Sequence, residues 1–175
     1  MTDSDSSRFL NMSAGQQSAV TQAAEEAHKL AMSAHLYLQQ LKEGSPRFET
    51  WFGEYNSASY SKVAKTFYLL TGGEHRKKIS EFTYSLDRRD SQHEFGYVDP
   101  NRYGEINLYP NFFRYSQLQP GMLVQLASEF AITGATQLLA FDSDPCKELA
   151  QKDPGKAIAN ADSYRLFALA PELDS

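Results

Sequence analysis

The chain holds a single cysteine, Cys146, so it cannot close a disulfide within itself. Nothing in it therefore demands an oxidising compartment. It also lacks a basic surplus: 17 lysines and arginines stand against 22 acids, for a net charge of -5. That balance excludes the electrostatic footprint on which nucleic-acid binding relies. No stretch approaches the roughly 20 apolar residues of a membrane span. The opening MTDSDSSRF has acids and serines where a secretory leader has basic residues and an apolar run. From these features the expectation is a chain that is cytoplasmic or exported by a leaderless route, with no membrane and no nucleic-acid partner.

What is present is aromatic. Phe 11 and Tyr 10 bring the aromatic share to 13%, with one tryptophan, Trp51. The length of 175 residues fits one domain. Residues 1–12 are polar and read as a flexible N-terminus, leaving 13–175 as a single domain. From Ser13 to about Leu41 apolar residues recur at helical steps (Val20, Ala24, Ala27, Ala31, Ala34, Leu38), with Glu25 and Lys29 four apart on the outer face. A second helix runs from Ser57 to Leu70 and stops at Thr71-Gly72-Gly73. Short alternating strands follow at Glu81–Ser85, Phe95–Val98 and Glu105–Tyr109. Gln119-Pro120-Gly121 opens a third helix, from Met122 to about Ile132. Cys146 to Gln151 is helical, and Lys156 to Leu169 forms the last helix. The order implies an α+β fold, mostly helical, with a small antiparallel sheet.

Three segments carry a resemblance. RFETWFGEYNSASYSKVAKTF (Arg47 to Phe67), FGYVDPNRYGEINLY (Phe95 to Tyr109) and KAIANADSYRLFA (Lys156 to Ala168) occur in the order, and at the spacing, of the deuterolysin and peptidyl-Lys metalloendopeptidase (aspzincin) family. The resemblance implies a zincin-like metallopeptidase fold. That family binds Zn²⁺ through His-Glu-x-x-His on a helix, where two imidazoles share one face and the glutamate serves as general base. A following Gly-Thr-x-Asp-x-x-Tyr-Gly supplies the third ligand.

GMLVQLASEF (Gly121 to Phe130) is similar to the family's zinc-binding helix without a gap. On that register the two histidine positions hold Gln125 and Glu129, and the glutamate position holds Leu126. The Gly-Thr is Ala135-Thr136, the third ligand falls on Gln137, the tyrosine on Phe141 and the closing glycine on Asp142. Cys146 falls on a family cysteine. No His-Glu-x-x-His exists elsewhere: the histidines are His28, His35, His75 and His93. Amides and leucine are poor zinc ligands, leucine moves no proton, and phenylalanine cannot donate to an oxyanion.

The expectation is a pseudoenzyme with no catalytic residues and no cofactor, zinc included. It would bind a peptide or protein through the former cleft at Gln125, Leu126, Glu129, Gln137 and Phe141. Two alternatives stand beside it. One is an active hydrolase using a non-family site; separately, Glu129, Asp142 and Asp144 are hard-oxygen groups of the kind that suit Ca²⁺. The other is a structural or immunity-like interaction protein. Asn160 and Asp162 match the family's Asn-Ala-Asp and are expected to tie the loop after the former catalytic helix. The aromatic run Tyr103, Tyr109, Phe112, Phe113 and Tyr115 offers either core or binding surface.

Overall fold

The computed structural model of the chain describes residues 7–41 and 45–171. Helix α1 (Ala14–Gln40) starts from a capping box in which Ser13 accepts from Gln16 N–H and the Gln16 side chain reaches back to Ser13. Its buried stripe is Val20, Ala23, Ala24, Ala27, Ala31, Ala34 and Leu38. Five of these seven side chains are alanines, so neighbouring helices can approach the α1 axis closely. The outer-face ion pair of α1 is Lys29 with Glu26 at 3.3 Å, not with Glu25.

The segment around Trp51 is a short helix, α2 (Pro46–Phe52), capped by Ser45 and started by proline at its first turn. Helix α3 (Ser57–Leu70) is capped by Asn56, one residue before Ser57. The aromatic surplus is spent here. Phe52, Phe67, Tyr164 and Phe167 meet with ring centroids 5.0–5.6 Å apart, and all four are fully buried.

The sheet is mixed, which corrects the antiparallel expectation. Strands β1 (Phe9–Leu10), β2 (Thr83–Leu86), β3 (Gly96–Tyr97) and β4 (Glu105–Leu108) lie in the order β1-β2-β4-β3. β1 and β4 both run parallel to β2, and only β3 runs antiparallel, to β4. Three short alternating strands in succession read as a meander; instead the chain between β2 and β4 crosses over and leaves β3 on the outer edge. Phe9 and Leu10, read as part of a flexible polar N-terminus, add the fourth strand, with Phe9 buried on Tyr84. Residues 1–6 lie outside the described residues.

Helix α4 (Gln119–Ser128) buries every residue but Pro120, the mark of a helix enclosed on all sides. It ends at Ser128 rather than near Ile132. Thr133 Oγ1 donates to the Ala127 carbonyl at 2.7 Å and Gly134 N–H to the Ser128 carbonyl at 3.1 Å, folding the chain back. Helix α5 (Ser143–Lys152) follows.

The expected last helix is two: α6 (Pro154–Ala157) and α7 (Ala161–Leu169). The break has a cause outside the segment. Gln137 N–H donates to the Ala159 carbonyl at 2.9 Å, and Ala161 N–H donates to the Gln137 carbonyl at 2.8 Å. Asn160 leaves helical geometry to make this one-residue bridge. No helix among the described residues is long and apolar enough to cross a membrane.

Candidate functional site

The site lies between α4, the edge strand β3 and the loop 129–142. Gln125 and Glu129 are four apart, and Glu129, the C-terminal cap of α4, keeps right-handed helical angles. Both therefore look out of one face of the helix. Between them Leu126 is 4% exposed. Across the gap, Gly96 of β3 sits so close that a Cβ there would lie 2.4 Å from the Asn107 carbonyl oxygen and 3.2 Å from Leu126. Glycine at this position is required first by the close backbone of β4 and then by the Leu126 side chain. Gln125, Leu126, Glu129, Leu138 and Phe141 line a cavity of about 230 Å³ with Phe95, Gly96 and Tyr97 of the sheet side.

One sequence-derived position is misplaced. Gln137 is exposed and does not line this cavity; its backbone is engaged with Ala159 and Ala161, and its neighbour Leu138 faces the cleft. The register that puts the third ligand on Gln137 is one residue short. With Ala135-Thr136 at the head of Gly-Thr-x-Asp-x-x-Tyr-Gly and Phe141-Asp142 at its tail, the aspartate position is Leu138.

The loop is held from α7. Asn160 Oδ1 accepts from the backbone N–H groups of Leu139 at 2.9 Å and Ala140 at 3.0 Å. Its amide donates to Ser163 Oγ at 3.0 Å and to Cys146 Sγ at 3.3 Å. Asp162 Oδ2 accepts from Asp142 N–H at 2.7 Å. Asp162 also takes a two-point ion pair from Arg165, whose guanidinium lies 5.2 Å from the centre of the Phe141 ring. Asn160 and Asp162 thus tie the loop, as their place in the sequence implies.

Cys146 is a free, buried thiol, pushed up to about 12 by burial and by the neighbouring Asp162 carboxylate. It is a packing residue, not a nucleophile.

Two glycine positions of the family's loop motif are occupied by other residues and keep glycine-like backbone. Ala135 has φ +50 and Asp142 has φ +70 with ψ 168. The second conformation is one that non-glycine residues rarely adopt.

Two acceptors in the cleft have no answering group. Gln125 Oε1 is buried without a hydrogen-bond partner. Glu129 meets neither a cation nor a donor among the described residues, and burial alone pushes its carboxyl up to about 7. Asp142 and Asp144, the other members of the hard-oxygen set, do not join it. Asp142 faces Arg165 at 3.6 Å, and Asp144 sits in the first turn of α5. Among the described residues no three of His, Cys, Asp and Glu are grouped to hold a metal ion. His28 and His35 are half-buried on α1, His75 is exposed in a turn, and His93 lies exposed at the mouth of the cleft.

Of the aromatic run before α4, Phe112 and Tyr109 are core, Tyr103 and Phe113 are half-buried, and Tyr115 is exposed. None of the five lines the cleft.

The Glu129 environment gives a stability prediction. A carboxyl that titrates near 4.5 when unfolded and about 7 when folded binds more protons in the native state between those values. Stability then falls as pH rises from about 4.5 to about 7, and the cost is fully present above that. Glu129→Gln removes the cost. The variant is expected to match the parent at pH 4.5 and to exceed it at pH 8 by up to about 3 kcal/mol. Urea unfolding at the two pH values checks it, and equal stability at pH 8 contradicts the burial of the carboxylate.

Comparison with known proteins agrees with this fold. The profile of the lysine-specific metallo-endopeptidase family (aspzincin M35) matches residues 37–169. A peptidyl-Lys metalloendopeptidase of Grifola frondosa is 32% identical over 89% of the chain, which spans 44% of that protein. One of Armillaria mellea is 31% identical over 87% of the chain, which spans 43% of it. The chain therefore spans less than half the length of these two relatives. One of Pleurotus ostreatus is 27% identical, covering 91% of the chain and 95% of that protein. The solved structure of a zinc peptidase from Grifola frondosa superposes with a TM-score of 0.86 at 30% identity, covering 94% of this chain and 100% of that one.

Proposed function

The chain belongs to the aspzincin family of lysine-specific metallo-endopeptidases, and we propose that it is a non-catalytic member that holds a peptide or protein segment in the cleft where its relatives cut one. The observation that carries this reading is the face of α4. It presents an amide, a leucine and a lone carboxylate at 125, 126 and 129, where the fold would need two imidazoles and a base. The loop opposite adds Leu138, not a carboxylate.

This donor set does not suit Zn²⁺. One carboxylate and one neutral amide oxygen leave the ion short of the three protein ligands that a catalytic zinc site keeps. No proton acceptor occupies the position next to it, because Leu126 has no ionisable atom. Phe141 offers a ring but no hydroxyl. Losing metal activation, base and electrophile together costs a hydrolase on the order of 10⁶-fold or more in rate. Meanwhile the frame that shapes the cleft is kept: β3, α4, and the loop bound to α7.

What remains suits holding without cutting. The cleft has apolar walls and unanswered acceptors at its floor, and β3 is an open sheet edge beside it. Its only cysteine is buried and unpaired, so the domain needs no oxidising environment to close a disulfide within itself.

The test is metal content and turnover on the same sample. After equilibration with Zn²⁺ and gel filtration, mass spectrometry is expected to find far less than one zinc per chain, and a lysine-containing peptide is expected to survive incubation as it does in buffer. One tightly held zinc per chain together with cleavage of that peptide sinks the proposal.

A further inference from the structure

The relatives are named for lysine, yet the cavity in this chain is lined mainly by carbon. Leu126, Leu138, Met122, Phe95 and Phe141 form its walls. Its volume, about 230 Å³, is below the range typical of small-molecule pockets and is on the scale of a single side chain.

The apolar lining continues outside. Ile132, Leu138, Leu139 and Phe141 are 41%, 52%, 46% and 38% exposed, a ledge of large hydrophobic side chains on one loop. Tyr97, 37% exposed, stands on the opposite lip. Two of the ledge residues, Leu138 and Phe141, also line the cavity, so the loop carries exposed apolar surface up to the cleft.

The polar groups lean to one side as the walls do, with His93 at the mouth the exception. Gln125 is 7% exposed, and its Oε1 has no donor. The Glu129 carboxylate has none either, and Glu94 adds a second carboxylate at the rim. No lysine or arginine lines the cavity. Two guanidiniums touch lining residues: Arg165 is committed to Asp162 and to the face of Phe141, and Arg89 to Asp87 and Tyr97. Apart from His93 at the mouth, the site therefore offers acceptors and, once Glu129 ionises above about 7, negative charge, and it asks for donors.

The backbone of β3 offers the same reception. Tyr109 N–H donates to the Phe95 carbonyl, and Gly96 pairs with Leu108 one step along. The alternation of an antiparallel ladder then turns the N–H and C=O of Gly96 away from β4, toward the cleft.

We infer that the cleft of this chain recognises an extended polypeptide segment in which a large apolar residue is followed by a basic one: the apolar side chain fills the cavity between Leu126, Leu138 and Phe141, and the basic neighbour meets Glu129 and Glu94. This rests on the peptide-holding reading above and adds what it selects. Selection passes from lysine as the leading feature to an apolar anchor with the cation beside it.

The experiment uses the whole isotopically labelled chain and three synthetic peptides, acetyl-Ala-Ala-Leu-Lys-Ala-amide and its Leu→Ala and Lys→Glu analogues, titrated by amide-shift NMR. The Leu-Lys peptide is expected to move the amides of Gly96, Leu126, Glu129 and Leu138 in a saturable way. The Leu→Ala analogue is expected to bind roughly tenfold more weakly, the effect of burying one leucine side chain, and the Lys→Glu analogue more weakly again than the parent. Leu138→Ala, at a position half-exposed and outside helix and strand, should fold as the parent does and shrink the leucine preference toward unity. If the Leu→Ala peptide moves the same amides with equal affinity, the apolar anchor is wrong while cleft binding stands. If Lys→Glu binds as tightly, the charge assignment is wrong. If no peptide moves the cleft amides, this inference and the peptide-holding reading fall together.

Discussion

The triple variant Gln125→His, Glu129→His, Leu138→Asp is expected to bind Zn²⁺ with a Kd below about 1 µM, equivalent to roughly 8 kcal/mol, and the parent chain is expected to bind it far more weakly. The expectation follows from how little of the frame has moved. Positions 125 and 129 still lie one helical turn apart on the same face of α4, and Glu129 retains helical angles at the cap. The loop that must deliver the third ligand is still fastened to α7 through Asn160 and Asp162. Leu138 lines the same cavity as both. It is 52% exposed, so an aspartate there has little packing to lose. Placing the aspartate at Gln137 instead, in an otherwise identical triple variant, should weaken the metal by tenfold or more, about 1.4 kcal/mol, because that residue lies outside the cavity. Calorimetric titration of the two variants decides between them. Equal affinity would return the third-ligand position to Gln137, and no binding by either would mean that the cleft no longer has the shape that a zinc site requires.

Asp162→Ala is expected to cost about 3–5 kcal/mol of stability, the range for removing one partner of a buried ion pair. Asp162 is fully buried, and Arg165 is 6% exposed. Truncation leaves a guanidinium with no buried counter-ion and the Asp142 N–H with no acceptor. Asp162→Asn keeps one acceptor oxygen while removing the charge, and should fall between parent and alanine variant. Chemical denaturation of the three proteins measures this. A loss under about 1 kcal/mol for the alanine variant, the net worth of an ordinary hydrogen bond, would mean that the ion pair carries little of the tie between α7 and the loop.

Much of the frame is legible in the order of residues because it is local. The three- and four-residue spacing from Val20 to Leu38 specifies α1, and Ser57 to Leu70 brackets α3, since both are decided within a few turns. The sheet is less legible. Whether Thr83–Leu86 pairs parallel or antiparallel with Glu105–Leu108 depends on how the intervening chain crosses, which no period of two records. Phe9 and Leu10 sit in a polar stretch too short to register as a strand, and they pair because Tyr84 and Ser85 offer an open edge. The split of the last helix is invisible in Lys156–Leu169 because its cause is Gln137, more than twenty residues upstream. In the site, Gln125, Leu126 and Glu129 are readable from helical spacing alone. Leu138 is readable from the motif only if the residue between threonine and aspartate is counted, and the exposed apolar ledge needs coordinates, since hydrophobic residues in a loop read equally well as buried.

Ala135 and Asp142 have a bearing on what the domain can become. Neither residue would choose its conformation, so the contour of their loop is imposed by its ties to the end of α4 on one side and to Asn160 and Asp162 on the other, and owes little to the side chains that face the cleft. Those side chains are then close to interchangeable parts on a fixed mount. An architecture of this kind can surrender a metal and acquire a new ligand preference by a handful of substitutions, with no need to invent a new path for the backbone.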